Sequence, residues 1–210
     1  MNSRLKNISI ELRAHVPFTI LGTSTGIVLM VVVVYAHVPQ AISKGLFATF
    51  HPLHVLLSAL VTAGMYRLHS KSRLLPTILV GYFGSIGIAT LSDCIIPYFG
   101  EYLLDMPRRA AHLGFIEEWW LVHPLAVIGI IIGYVRPTTK MPHAGHVLLS
   151  TWASLFHMTM ALGEELNLLT LGLSAVFLFL AVWVPCCTSD IVFPLLFARE
   201  KLELAAHHVS

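Results

Sequence analysis

The 210-residue chain is 56% hydrophobic and only 11% charged, whereas charged residues make up roughly a quarter of a soluble domain. A formal net charge of +2, with no basic stripe or RNA-binding motif, leaves no footprint for nucleic acid. No G-x-x-x-x-G-K-[ST] loop or glycine-rich strand-to-helix turn occurs, so nucleotide-driven work by this chain is not expected.

In chain order, the first residues carry Arg4, Lys6, Glu11 and Arg13 and run straight into a long apolar segment. That segment exceeds a cleaved signal core and lacks a small-residue cleavage site, so it reads as a membrane helix that stays. Six apolar stretches follow one another at 16–36, 46–66, 74–92, 119–135, 147–163 and 168–188. Each is near the length of about 20 residues that spans a bilayer. Between the third and fourth, residues 97–118 mix apolar and charged side chains and end on Trp119 and Trp120, which predicts a short interfacial helix beside an aromatic belt. Lys and Arg divide ten against three between the loops on the side of the N-terminus and the opposite loops. This bias places both termini in the cytoplasm of a multi-pass integral membrane protein. Glu101, Asp105, Glu117, Glu118, Glu164 and Glu165 fall to the far side. Glycines at small-residue spacing within the spans, Gly22 and Gly26 or Gly129 and Gly133, fit close helix packing.

The chain repeats itself. His51-Pro52-Leu53-His54-Val55-Leu56-Leu57-Ser58 matches His143-Ala144-Gly145-His146-Val147-Leu148-Leu149-Ser150, and Ser92-Asp93 followed by Pro97 matches Ser189-Asp190 followed by Pro194. Ala110-Ala111-His112 matches Ala205-Ala206-His207, and the helix before each H-x-x-H opens on a histidine, His15 or His123. Shared apolar composition would match Leu with Leu, not His and Asp in the same order. The expected architecture is therefore all-α: six transmembrane helices forming two three-helix repeats, 1–118 with the interfacial helix and 119–210 with the C-terminal tail. Because each repeat holds an odd number of spans, the two copies must be inverted in the membrane, as in many secondary transporters.

Ionisable groups in membrane segments are costly and mark function. Residues three and four apart share a helix face, so His51, His54 and Ser58 line one face of the second span, and His143, His146 and Ser150 one face of the fifth. His157 and Glu164 continue the latter face, since at about 100° per residue they return to nearly the same direction. Placing both H-x-x-H pairs at span starts predicts two separate sites on opposite membrane surfaces. The outer site would be His51, His54, Asp93 and His123, and the inner one His143, His146, Asp190 and His15. Ser58, Ser150, His157 and Glu164 would form a pathway between them. Imidazole with carboxylate suits a divalent transition metal such as zinc, iron or manganese. Cys94, Cys186 and Cys187 give no disulfide framework; they read as buried membrane cysteines or, alternatively, as soft ligands that tilt the choice to zinc.

The leading expectation is a transporter or channel for such a metal, with the bilayer and the ion as partners and homo-oligomerisation left open. A second is an intramembrane zinc hydrolase acting on a lipid. His54-x-x-x-Ser58 with Asp93 resembles part of the His, Ser and Asp set of the alkaline ceramidase and adiponectin receptor superfamily. That resemblance implies a zinc-activated water, but the family's later H-x-x-x-H pair is missing here. The third is a b-type haem carrier with axial histidines from different spans.

Overall fold

A computed structural model describes residues 3–70, 74–137, 140–162 and 167–197. These residues form helices and no strand: α1 (Ser3–Tyr35), α2 (Gln40–His69), α3 (Leu74–Thr90), a π-helical turn (Leu91–Ile95), α4 (Ile96–Leu103), α5 (Gly114–Glu117), α6 (Trp119–Val135), α7 (Lys140–Ala161), α8 (Leu168–Cys187), a second π-helical turn (Thr188–Val192) and α9 (Phe193–Phe197). Three helical stretches, Gln40–Leu68, Leu74–Leu103 and Leu168–Cys186, are long and apolar enough to cross a membrane, and Thr19–Tyr35 and Trp119–Val135 are shorter apolar helices.

The distribution of side chains is that of a bundle built for an apolar surround. Leu75, Phe83, Ile131, Val135, Leu168 and Leu169 are exposed, while His51, His54, Ser58, Asp93, His146, Ser150 and His157 are shut away from solvent. A soluble monomer seldom leaves large contiguous apolar surface outside. Polar groups inside hydrocarbon have to find each other instead.

Two expectations are corrected. The third helix does not end near Ser92; it runs through the π turn into α4 and stops at Leu103. The predicted interfacial helix over 97–118 is therefore mostly the end of that helix, followed by non-helical chain and the single turn of α5. Likewise α2 starts at Gln40, not near 46, so His51 and His54 lie about the middle of a 30-residue helix instead of at its mouth.

The helices pack in matched pairs. α1 lies against α7 as α6 lies against α2, and α1 against α8 as α6 against α3. Glycine explains the close approach in both cases. A β-carbon on Gly22 would sit 2.7 Å from Thr151 Oγ1, and one on Gly129 would run into the Leu56 carbonyl oxygen and stand 2.9 Å from the Ala59 β-carbon. Thr151 and Ala59 occupy equivalent positions of the repeat, 92 residues apart by the register that pairs His51 with His143. One apolar cluster (Met30, Leu155, Leu178) fills the junction of α1, α7 and α8, and another (Val55, Ala89, Val122) the equivalent junction of α6, α2 and α3.

At the middle, α2 and α7 cross antiparallel. Leu57 meets Gly145, His54 meets His146, Phe50 meets Trp152 and Phe156, and Phe47 meets His157. One index falls as the other rises, which fixes the relative direction.

Candidate metal centre

Both Ser-Asp motifs lie in the π-helical turns, Ser92-Asp93 in the first and Ser189-Asp190 in the second. Such turns insert one extra residue into a helix and recur at functional sites. The first carries Asp93 inward. Its Oδ2 accepts hydrogen bonds from His51 Nδ1 at 2.9 Å and His54 Nδ1 at 2.6 Å. Its Oδ1 accepts from Ser92 Oγ at 2.7 Å and Ser150 Oγ at 3.0 Å, with Ser154 Oγ at 3.5 Å. Both carboxylate oxygens are thus satisfied, although Asp93 has no solvent exposure. Burial without such partners would cost several kcal/mol.

A carboxylate only accepts, so the Nδ1 atoms of His51 and His54 carry the protons. In a neutral imidazole the other nitrogen is then a lone-pair acceptor. The Nε2 atoms of both rings are buried, and neither has a hydrogen-bond partner. On His54 this is the arrangement in which a carboxylate bonded to the far nitrogen fixes the tautomer of a metal-binding histidine.

What the lone pair of His54 meets comes from the other half of the chain. His54 and His146 stack with ring centroids 4.5 Å apart and planes 23° from parallel. Ligand atoms of His54, His146 and Cys186 lie within 4.8 Å of one another, all three residues buried. Cys186 follows Pro185, which lies inside α8, and its Sγ approaches Ser150 Oγ at 3.5 Å. Two imidazoles and a thiol form a donor set suited to zinc, and the orphaned Nε2 of His54 fits a missing ligand. A second group, His51, His54 and Asp93, also clusters within 4.8 Å, but its nitrogens and Asp93 Oδ2 already satisfy one another. Asp93 is thus placed to orient His54, and His54, His146 and Cys186 are the group that could hold a metal ion.

Comparison with protein-family models, curated proteins and solved structures returns no match. Function must be argued from these side chains alone.

Set against the expected sites, the geometry differs in kind. His54 and His146, expected at opposite membrane surfaces, are in ring contact. His51, His54 and Asp93 do come together. His123 does not join them, since its Nδ1 pairs with Tyr82 Oη at 2.8 Å. The side chains of His15, His143 and Asp190, and all of Glu164, lie outside the described residues. Ser58 Oγ meets Ser189 Oγ at 3.2 Å, with Thr62 Oγ1 at 3.3 Å from the same atom. That contact mirrors the approach of Ser150 and Ser154 to Ser92. His157 is buried with its Nδ1 2.7 Å from Glu101 Oε1.

Glu101 and Cys186 are the residues that sequence reasoning placed poorly. The sequence places Glu101 in an acidic far-side loop, whereas it is fully buried in α4. Cys186 stood only as an alternative soft ligand. Its place beside proline near the end of a span was the available signal.

Proposed function

We propose that this chain is an integral membrane transporter for a divalent transition metal, zinc being favoured, built from two inverted three-helix halves around one central site. The observation that carries the reading is the His54–His146 contact, with Cys186 beside it. Residues that are equivalent in the two repeats touch each other only where they flank the axis relating the repeats, as at an isologous interface. The antiparallel crossing of α2 and α7, the glycine-packed α1–α7 and α6–α2 pairs, and the exchanged serine contacts all support an axis perpendicular to these helices. With α1, α2, α3–α4, α6, α7 and α8 as six spans, that axis lies in the membrane plane. The charge bias then puts both termini in the cytoplasm.

His54 is the fifteenth of the 30 residues of α2, about 21 Å along it at 1.5 Å per residue. A site near the midplane, between inverted halves, is where secondary transporters hold their cargo. His54, His146 and Cys186 would hold the ion; the thiol gives up its proton on binding, and Asp93 keeps the His54 lone pair available. Across the interface the halves touch through hydroxyls: Ser150 and Ser154 on Ser92 and Asp93, Ser58 and Thr62 on Ser189. Apart from the charge-assisted Ser150–Asp93 bond, these are neutral hydroxyl contacts of 3.0–3.4 Å that cost little to break and remake, which suits rocking of one half on the other. A single hydrolytic centre has no need of duplication. Bis-histidine haem ligation places a porphyrin between the rings, and imidazoles stacked 4.5 Å apart leave no room for one.

Vesicles holding the purified protein and a zinc-sensitive dye test this. Wild-type protein is expected to admit zinc, and His54→Ala and His146→Ala each to lower the rate about tenfold or more. Folded wild-type protein that moves no divalent metal, or variants as fast as wild type, would refute transport through this centre.

A further inference from the structure

A second buried imidazole–carboxylate pair stands apart from the metal centre. His157 Nδ1 lies 2.7 Å from Glu101 Oε1, and neither side chain is more than 1% exposed. Glu101 Oε2 accepts from the Ala110 backbone N–H at 3.4 Å. The other nitrogen of His157, Nε2, accepts at 3.3 Å from the His112 backbone N–H, which is shared with the Ala110 carbonyl at 3.0 Å within the same segment. Both nitrogens are therefore occupied in one tautomer only, with a single proton on Nδ1.

The segment that donates to His157 also packs on His51, which shares the Asp93 carboxylate with His54. Two residues beyond His112, Gly114 lies so close to His51 that a β-carbon there would overlap Cδ2 of the ring and stand 2.6 Å from Nε2. Phe47 links the two histidines, stacked on His51 at 5.3 Å and edge-on to His157 at 5.5 Å. A cavity lined by Gln40, Ala41, Lys44, His112 and Met160 opens beside the strap.

We propose that Nε2 of His157 is the binding site of a coupling proton, and that filling it lifts the 110–114 strap from His51, opening the centre toward the His112 cavity. A proton delivered by water adds to the Nε2 lone pair. The ring then carries an N–H on both nitrogens, and the His112 N–H faces a donor where it had an acceptor. One hydrogen bond is lost and two donors oppose each other, while the imidazolium keeps its ion pair with Glu101. The strap leaves, and Gly114 leaves with it.

The titratable groups that bear on His157 among the described residues come from each neighbouring element. Glu101 comes from α4. His112 lies on the strap, its ring 5.6 Å from that of His157, with Glu117 3.2 Å from its Nδ1. Cys94, from the π turn, lies in the Phe47–Phe156–Met160 cluster, where α1 brings only Val33 and Leu29. Lys44 lies at the cavity on α2. Of these, only Glu101 touches the His157 ring with a charge opposite to the imidazolium.

The opening of the strap rests on this geometry alone; that it admits a metal rests on the transport reading. Hydrogen exchange on the metal-free full-length protein separates the two. After correction for intrinsic rates, protection of the 110–114 amides is expected to fall at least about tenfold between pH 8 and pH 5, the loss of about one hydrogen bond's worth. His157→Gln, which does not titrate, is expected to show no step. Glu101→Gln keeps an acceptor for Nδ1 but removes the charge that pairs with the imidazolium, and is expected to weaken the step. Protection that ignores pH in the wild type, or an unchanged step in either variant, overturns the proposal whether or not the protein carries metal.

Discussion

If the proposed centre binds zinc, His54→Ala is expected to leave a protein that folds and binds the metal about 100-fold more weakly. Alanine removes one of three protein donors and leaves Asp93 still bonded to His51 and to the serines. A four-ligand structural zinc site is worth about 10–16 kcal/mol, so one ligand carries on the order of 3 kcal/mol, or about 100-fold in affinity. Competition against a zinc-binding dye measures this. Cys186→Ser should fall by a similar factor, since a serine hydroxyl is a poor substitute for thiolate on zinc. His123→Ala, whose ring pairs with Tyr82, should bind zinc as the wild type does. Equal affinity of His54→Ala and wild type would mean that the lone pair of His54 has no ligand to meet.

Substitution at Asp93 splits fold from metal. Asp93→Ala strands two imidazole N–H groups and up to three hydroxyls in a site with no access to water. Loss of one partner of a buried charged network costs about 3–5 kcal/mol, so thermal unfolding in detergent should show a large drop in midpoint. Asp93→Asn keeps the shape and one acceptor oxygen. With that oxygen in the place of Oδ2 both Nδ1 atoms still donate to it and the N–H₂ turns to the Ser92 and Ser150 hydroxyls, so the tautomers stay while the negative charge that makes His54 the stronger ligand is gone. Zinc affinity should then fall about 10–100-fold at much smaller cost in stability. An Asn variant that binds zinc like the wild type would show that the charge of Asp93 does nothing for the centre.

Much of this centre was legible in the sequence. The duplicated H-x-x-H and Ser-Asp words, the shared helix face of His51, His54 and Ser58, and the packing role of Gly22 and Gly129 follow from periodicity and local chemistry. Two things did not follow. Periodicity says which residues share a face of one helix, not which helix that face meets. The reading of two sites on opposite surfaces failed there, since the antiparallel crossing of α2 and α7 brings His54 onto His146. The apolar stretch beginning near 46 also hid the helical start at Gln40, which moves the imidazoles from the end of the helix to its middle. Glu101 shows the same limit. Its partner His157 is 56 residues away, and nothing local distinguishes a carboxylate that ends up buried on an imidazole from one in an acidic loop.

The central claim is that side chains from both halves meet in one metal centre inside the bundle. X-ray absorption at the zinc edge of the loaded protein tests it most directly. The proposal predicts one ion per chain with nitrogen ligands at about 2.0–2.1 Å and a sulfur at about 2.3 Å, the sulfur shell vanishing in Cys186→Ser. A shell of light atoms alone in the wild type, indifferent to Cys186→Ser and to His146→Ala, would contradict it.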